Sequence, residues 1–213
     1  MPTPVTLRGH VVRLEPLSAG AVSDLLAAAT EPAGTSPFTL IPQDLAAMTA
    51  YVTAALADQQ AGRALAFVAR RQADGRAVGS TRFLDLDYWP GQPASPSGFA
   101  GGSGAEIPDV AEIGSTWLAP SARRTAVNTE AKLLMLAHAF DGWNVHRVTL
   151  KTDARNAQSR NAIERLGARF EGIRRAHVPA LDGTVRDSAY YSILRGEWPG
   201  VRALLQKRLR PVR

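Results

Sequence analysis

The sequence predicts an α/β fold, in the α+β sense of one mixed sheet with helices packed against it. Three observations predict it. Apolar residues alternate with period two in several short runs and recur at helical spacing in others. The runs interleave in the order β-α-α-β-β-β-α-β-α-β-β, so both kinds of element contribute to one plan. Finally, 213 residues with 45% apolar and 21% charged content suit a single globular domain over 1–213 with a full core.

The elements follow in chain order. Val11–Leu17 is a first strand, and Ser18 caps a short helix carrying Val22, Leu25 and Leu26. Gln43–Leu56 is an amphipathic helix with Leu45, Met48, Tyr51, Val52 and Leu56 on one side. Leu65–Arg71 and Ala77–Leu84 form a hairpin around Ala73-Asp74-Gly75-Arg76. The Gly, Pro and Ser content of Tyr88–Val110 marks an insertion, read as a surface loop or a lid. Glu112–Leu118 is a strand ended by Ala119-Pro120, and a polar turn, Arg123–Asn128, leads into a helix at Thr129–Phe140. Arg147–Thr152 is a strand, and Gln158–Leu166 a helix closed by Gly167 as its C-terminal cap. Ala168–Val178 and Val185–Leu194 are long strands joined by Leu181-Asp182-Gly183-Thr184, and Glu197–Leu209 is a helical tail.

Composition removes several function classes. There is no cysteine, so disulfides, thiolate-ligated zinc and thiolate catalysis are excluded. His10, His138, His146 and His177 have no metal-ligand spacing, so no metal is expected. The opening residues lack the basic and apolar regions of a secretory signal, and no run is long enough for a membrane span, so the chain reads as cytoplasmic. The net charge of +6 comes from 22 Arg and 3 Lys. No basic helix with interleaved aromatics accompanies it, so nucleic acid is not the expected partner.

The informative unit is the strand–turn–helix at Glu112–Phe140. A turn of small residues and arginines opens onto a helix start, where unpaired N–H groups and the positive end of the helix dipole suit an anion such as a pyrophosphate. Arg123 and Arg124 add charged donors. Neither a Walker-type loop nor a Gly-x-Gly-x-x-Gly fingerprint is present.

The stretch Arg123-Arg124-Thr125-Ala126-Val127-Asn128-Thr129-Glu130-Ala131 resembles the acetyl-CoA pyrophosphate loop of GNAT acetyltransferases. Ala126 and Asn128 stand where that loop usually has Gly and Gly/Ala. Asn156-Ala157-Gln158-Ser159, followed by Leu166-Gly167-Ala168, is similar to the family's Asn-x-x-Ser motif and its ending. Phe170-Glu171-Gly172 and Asp187–Ile193 before Glu197-Trp198 resemble the closing strands of the RimJ/RimL type, which acetylates ribosomal-protein N-termini. The match runs from about Glu112 to Trp198, with a weaker fit from Leu7 onward.

The resemblance implies a GNAT fold: a mostly antiparallel mixed sheet with a splayed strand pair and helices on both faces. It implies an acetyl-CoA-dependent N-acetyltransferase acting on a primary amine, of a protein N-terminus or a small molecule. A non-catalytic CoA-binding module is the competing reading. Main-chain groups of Trp117 and Leu118, the loop Arg123–Thr129, and Asn156 with Ser159 would hold the cofactor. Glu112, through water, is the first candidate base and His177 the second. Ser159 and Tyr191 are candidate acids, and Tyr190, on the other face of its strand, is left to packing. A homodimer through the C-terminal strands or tail is also implied.

Overall fold

The computed structural model describes residues 2–32, 37–89 and 107–210. Two short strands, β1 (Leu7–Arg8) and β2 (Val12–Pro16), come first. Helices α1 (Val22–Ala29) and α2 (Leu45–Gln60) precede β3 (Leu65–Arg71), β4 (Ala77–Asp87) and β5 (Val110–Leu118). Then come α3 (Ala126–Ala137), β6 (Arg147–Asp153), α4 (Ala157–Arg165), β7 (Arg169–Pro179), β8 (Val185–Leu194) and α5 (Trp198–Leu209). Of the insertion expected at about 88–110, residues 90–106 lie outside the described residues.

Caps explain where helices start. Asp44 accepts a hydrogen bond from the Ala47 N–H at 2.8 Å, so α2 begins two residues after the expected Gln43. Thr125 caps α3 in the same way, so that helix begins at Ala126 rather than Thr129. Gly167 closes α4 at φ 96°, and a methyl group there would meet Val201 at 3.2 Å. The two-residue β1 was not expected. It pairs with β2, and Glu130 of α3 fixes the turn between them. Its carboxylate accepts from the N–H groups of His10 (2.8 Å), Val11 (2.6 Å) and Val12 (2.8 Å).

The eight strands form one sheet in the order β1-β2-β3-β4-β5-β6-β8-β7, and only β5 and β6 are parallel. Helices cover both faces. Leu65 and Phe67 of β3 join the cluster that holds Met135 of α3 and Leu205 of α5. Ala66 and Val68, on the alternate positions, join Leu25 of α1 and Val52 of α2. Among the described residues no helix is long and apolar enough to cross a membrane.

Two irregularities shape the centre of the sheet. The β5–β6 ladder joins only Val110–Glu112 to Arg147–Thr149, although β5 runs on to Leu118 and β6 to Asp153. Beyond Glu112 the strands part, each keeping its outer neighbour. The second irregularity is a bulge in β5. Arg82 of β4 pairs with Gly114 and Ser80 with Trp117, so three steps on β5 oppose two on β4, and Ser115 takes φ 45°. The extra residue flips the side-chain alternation. Thr116 turns towards α3, and Trp117 packs against the cluster of α1 and α2.

Candidate active site

Glu112 sits where the β5–β6 ladder ends, and its residue is only 3% exposed. Its carboxylate pairs with Lys151 of β6 at 2.8 Å, and Lys151 also reaches Asp85 of β4 at 3.1 Å. Gly114 makes room for it: a methyl group there would lie 2.7 Å from Glu112 Oε1. Burial pushes the Glu112 carboxyl up to about 7, against the hydrogen bond and charge of Lys151, which pull it down. Burial works the other way on Lys151, but the two carboxylates more than offset it and hold the ammonium above its usual range. The pair is thus lopsided. The carboxylate is sealed in, whereas the ammonium keeps partial access to water, so we take burial to govern Glu112.

Lys151 is paired in register with Tyr190 of β8, and its ammonium lies 6.0 Å from the Tyr190 ring centre. The Tyr190 hydroxyl is 3.3 Å from His177 Nε2, and His177 Nδ1 is 2.9 Å from Ser188 Oγ. Partial burial lowers the His177 pKa, and Arg174, Lys151 and Arg186 lower it further. Glu112, Lys151, Tyr190 and His177 therefore form a row across the helix α1–α2 face of the sheet. Tyr191 lies on the opposite face, fully buried, its hydroxyl 3.0 Å from Glu164 and 2.9 Å from Arg160, both on α4. Burial and Glu164 raise its pKa, with Arg160 opposing.

The residues expected at the cofactor gather at the open end of the split. Trp117 is buried, and its indole N–H donates to the Tyr51 hydroxyl at 3.3 Å, so only its main chain faces the gap. The Leu118 carbonyl accepts from Arg123 Nε at 3.0 Å, which ties the loop to the strand end. Arg124 adopts φ 58°. The left-handed residue of the loop is thus Arg124, while Ala126, Val127 and Asn128 already lie in α3 and need no glycine for their φ. Thr125 Oγ1 accepts from the Val127 N–H at 3.3 Å, and the other first-turn N–H groups have no partner within the helix. Thr129 is half-buried in the next turn. Asn156 caps α4, its Oδ1 accepting from the Ser159 N–H at 3.0 Å. Among the described residues its side-chain amide N–H groups donate to no other group. Ser159 shares a helix side with Ile163, which is buried in the core, whereas Tyr191 bonds to the neighbouring side at Arg160 and Glu164.

Sequence reasoning missed Lys151, Tyr190, Arg82 and Lys132. Alternation separates Tyr190 from Tyr191, but only the sheet order puts Lys151 and Tyr190 on the face that holds Glu112. Lys132 of α3 is fully enclosed and donates to Thr116 Oγ1 at 2.6 Å and Thr81 Oγ1 at 3.2 Å, next to the bulge. Burial lowers its pKa to about 7. Nothing in the sequence marks it as buried, because its environment depends on that bulge.

An open mixed sheet, split at its one parallel pair with a helix start on each side of the split, defines the class of acyl-CoA N-acyltransferase folds. Comparison with known proteins agrees. The family profile described as the Acetyltransferase (GNAT) domain matches residues 12–169. A GCN5-related N-acetyltransferase from Brucella melitensis is 30% identical, with a TM-score of 0.81 over 99% of this chain and 87% of that one. Mycobacterium smegmatis RimJ, solved with CoA-disulfide, shares the fold at 22% identity, with a TM-score of 0.69 over 96% of this chain and 93% of that one. YdaF of Bacillus subtilis (strain 168), a provisionally assigned ribosomal N-acetyltransferase, is 33% identical over 90 residues. That match spans 42% of this chain and about half (48%) of YdaF. The chain belongs to the GNAT acetyltransferase family.

Proposed function

We propose that the chain is an acetyl-CoA-dependent N-acetyltransferase acting on a primary amine, of a protein N-terminus or a small molecule. The observation that carries this is Glu112: a buried carboxyl raised to about 7, at the fork of two parting strands whose open ends lead to two capped helix starts. The residues present suit a CoA thioester. The main chain of Ile113–Leu118 on the split side has no ladder partner, and the starts of α3 and α4 offer N–H groups and an asparagine amide. When bound, acetyl-CoA supplies an activated acyl group.

The chain's own residues do the rest. Glu112, near half-ionised at neutral pH, takes a proton from the acceptor ammonium through water, and Lys151 holds the carboxylate in place. Tyr190 and His177 extend the same polar row and accept or pass on that proton. Main-chain N–H groups of β5 stabilise developing charge on the acyl oxygen. Ser159 Oγ supplies the proton that the departing sulfur needs. Of the two candidate acids Ser159 is the one kept here, because the bonds of Tyr191 to Arg160 and Glu164 support a bracing role between β8 and α4.

Calorimetry with acetyl-CoA, followed by thiol release over a panel of amines, tests the proposal. Binding together with amine-dependent thiol release is expected. Absence of binding at millimolar acetyl-CoA would sink it, and binding without release for any amine would leave the CoA-binding module. Exposed Phe170, Ile173, Val178 and Val185 on β7 and β8 support a homodimer through these strands, which light scattering reads directly.

A further inference from the structure

Arg82 is a buried cation that has no counter-ion among the described residues. It lies on β4, is only 7% exposed, and its guanidinium stacks 4.4 Å from the centre of the Tyr51 ring on α2. Its Nε has no hydrogen-bond partner, and among the described residues no carboxylate pairs with it. Three neighbours have their polar groups matched: Ser80 Oγ donates to the Phe67 carbonyl, and Tyr51 joins Ser80 to Trp117. The buried Nε has no partner, and the charged fork rests on an aromatic ring rather than on a carboxylate, which leaves its outer N–H groups able to bind an anionic ligand.

Its location says what that ligand is for. Arg82 is the cross-strand partner of Gly114, and the Glu112 carboxylate folds over Gly114 on the same face. Gly114 places no side chain between them. Cβ atoms at such diagonal positions are roughly 7–8 Å apart, and long side chains converge from there. Tyr51 roofs Arg82 from α2, so the guanidinium belongs to the side from which an acceptor would reach Glu112, opposite α3 and α4. Arg82 is in addition the residue type whose planar fork matches a carboxylate with two parallel bonds.

We propose that the acceptor is an amine that also carries a carboxylate, and that Arg82 binds this carboxylate while Glu112 receives the proton from the amine. The inference rests on the N-acetyltransferase reading above. The two groups stand on neighbouring strands, diagonal across Gly114, so one compact acceptor must carry both the amine and the carboxylate: a free amino acid, or a peptide whose first residues include Asp or Glu.

Matched acceptors separate these sources and test the idea. One pair is a free amino acid and its carboxamide; the other is a peptide amide with Glu or with Gln at its second position. The carboxylate-bearing member of at least one pair is expected to have a kcat/KM about 30-fold higher, mostly through KM. The pair that shows the preference identifies the source. In R82Q that ratio is expected to collapse towards one, with R82K intermediate because it keeps the charge but loses the fork. A structural role for the Tyr51 stack makes the opposite forecast on stability. Removing an orphan cation leaves Tm unchanged or raises it in R82M, whereas loss of a needed strut lowers it. Equal rates within both pairs, an R82Q ratio matching wild type, or a lowered Tm in R82M would overturn the proposal. Calorimetry of the CoA-loaded protein with N-acetylglutamate gives a reading independent of turnover. The same titration is made with an N-acetylated peptide amide carrying Glu at its second position; binding of either probe that is lost in R82Q supports the proposal, and no binding of either to wild type contradicts it. If acetyl-CoA itself fails to bind, the N-acetyltransferase reading falls instead.

Discussion

Glu112 and Lys132 are both buried and both titrate near 7, yet they differ in what opposes burial. Glu112 has a cation at 2.8 Å, and removing that cation in K151M leaves burial unopposed. The carboxyl then rises further, so the alkaline-going limb of kcat/KM, expected near pH 7, moves to higher pH. In E112Q the limb vanishes and leaves only that of the acceptor amine, with kcat/KM about 100-fold lower at pH 8. Identical pH profiles for wild type and E112Q would remove Glu112 as the base. Lys132 has only hydroxyl partners. Its folded pKa of about 7 lies below the ordinary lysine value of 10.5, so between these limits the unfolded chain binds more protons and stability rises with pH. Below pH 7 the full cost of a buried charge remains. Thr81 and Thr116 already bond each other at 2.7 Å, so K132M leaves no orphan and should be more stable than wild type at pH 7 by about 1–4 kcal/mol. It should also lack the rise between pH 7 and 10. Urea unfolding of the two proteins at both pH values decides it, and parallel profiles would contradict the burial argument.

At the scale of elements, α3 is tied to the N-terminal strands by a clip whose consequence is separable from the cofactor loop. Glu130 holds the β1–β2 turn with three N–H groups, and Gly9 must stay bare because a methyl there would lie 2.4 Å from the carboxyl group. E130A strands those donors and is expected to cost about 3 kcal/mol in unfolding experiments, without changing acetyl-CoA affinity by more than about threefold. Loss of affinity in step with stability would show that this clip also sets the cofactor loop. The legibility of the sequence divides along the same lines. Leu65–Arg71 and Val185–Leu194, compact apolar or aromatic runs bounded by turn residues, have the strand ends that the sequence places. The α3 start was read three residues late, because Ala126-Val127-Asn128 looks like loop until Thr125 is seen as the cap. The bulge at Ser115 was not legible at all. It depends on how β4 lies against β5, and it decides that Thr116 faces α3 and Trp117 faces α1 and α2, rather than the reverse. The Tyr190–Tyr191 choice failed to register Lys151 for a similar reason: alternation says that the two differ in face, but only the sheet order says which face holds Glu112.

Across the whole molecule, the short β5–β6 ladder is the consequence of putting one parallel pair into an otherwise antiparallel sheet. The α3 crossover brings β6 in beside β5, and β8 then returns antiparallel along the full length of β6, from Arg147 to Asp153. β4 likewise holds β5 as far as Leu118. Each half of the sheet is thus complete in itself, and its twist is free to part the two beyond Glu112. Main-chain groups on the inner edges of the split remain exchange-competent in a sheet whose other strands are laddered, which is an unusual place for weak protection. Saturating CoA should therefore slow amide exchange at Ile113–Leu118, at the α3 start from Thr125 to Asn128, and at Asn156–Ser159, while β2 and β3 stay unchanged. Hydrogen-exchange mass spectrometry with and without CoA reads this directly. Protection spread evenly over the molecule would mean general stabilisation by ligand, and protection confined to α1 and α2 would place the cofactor on the wrong face of the sheet.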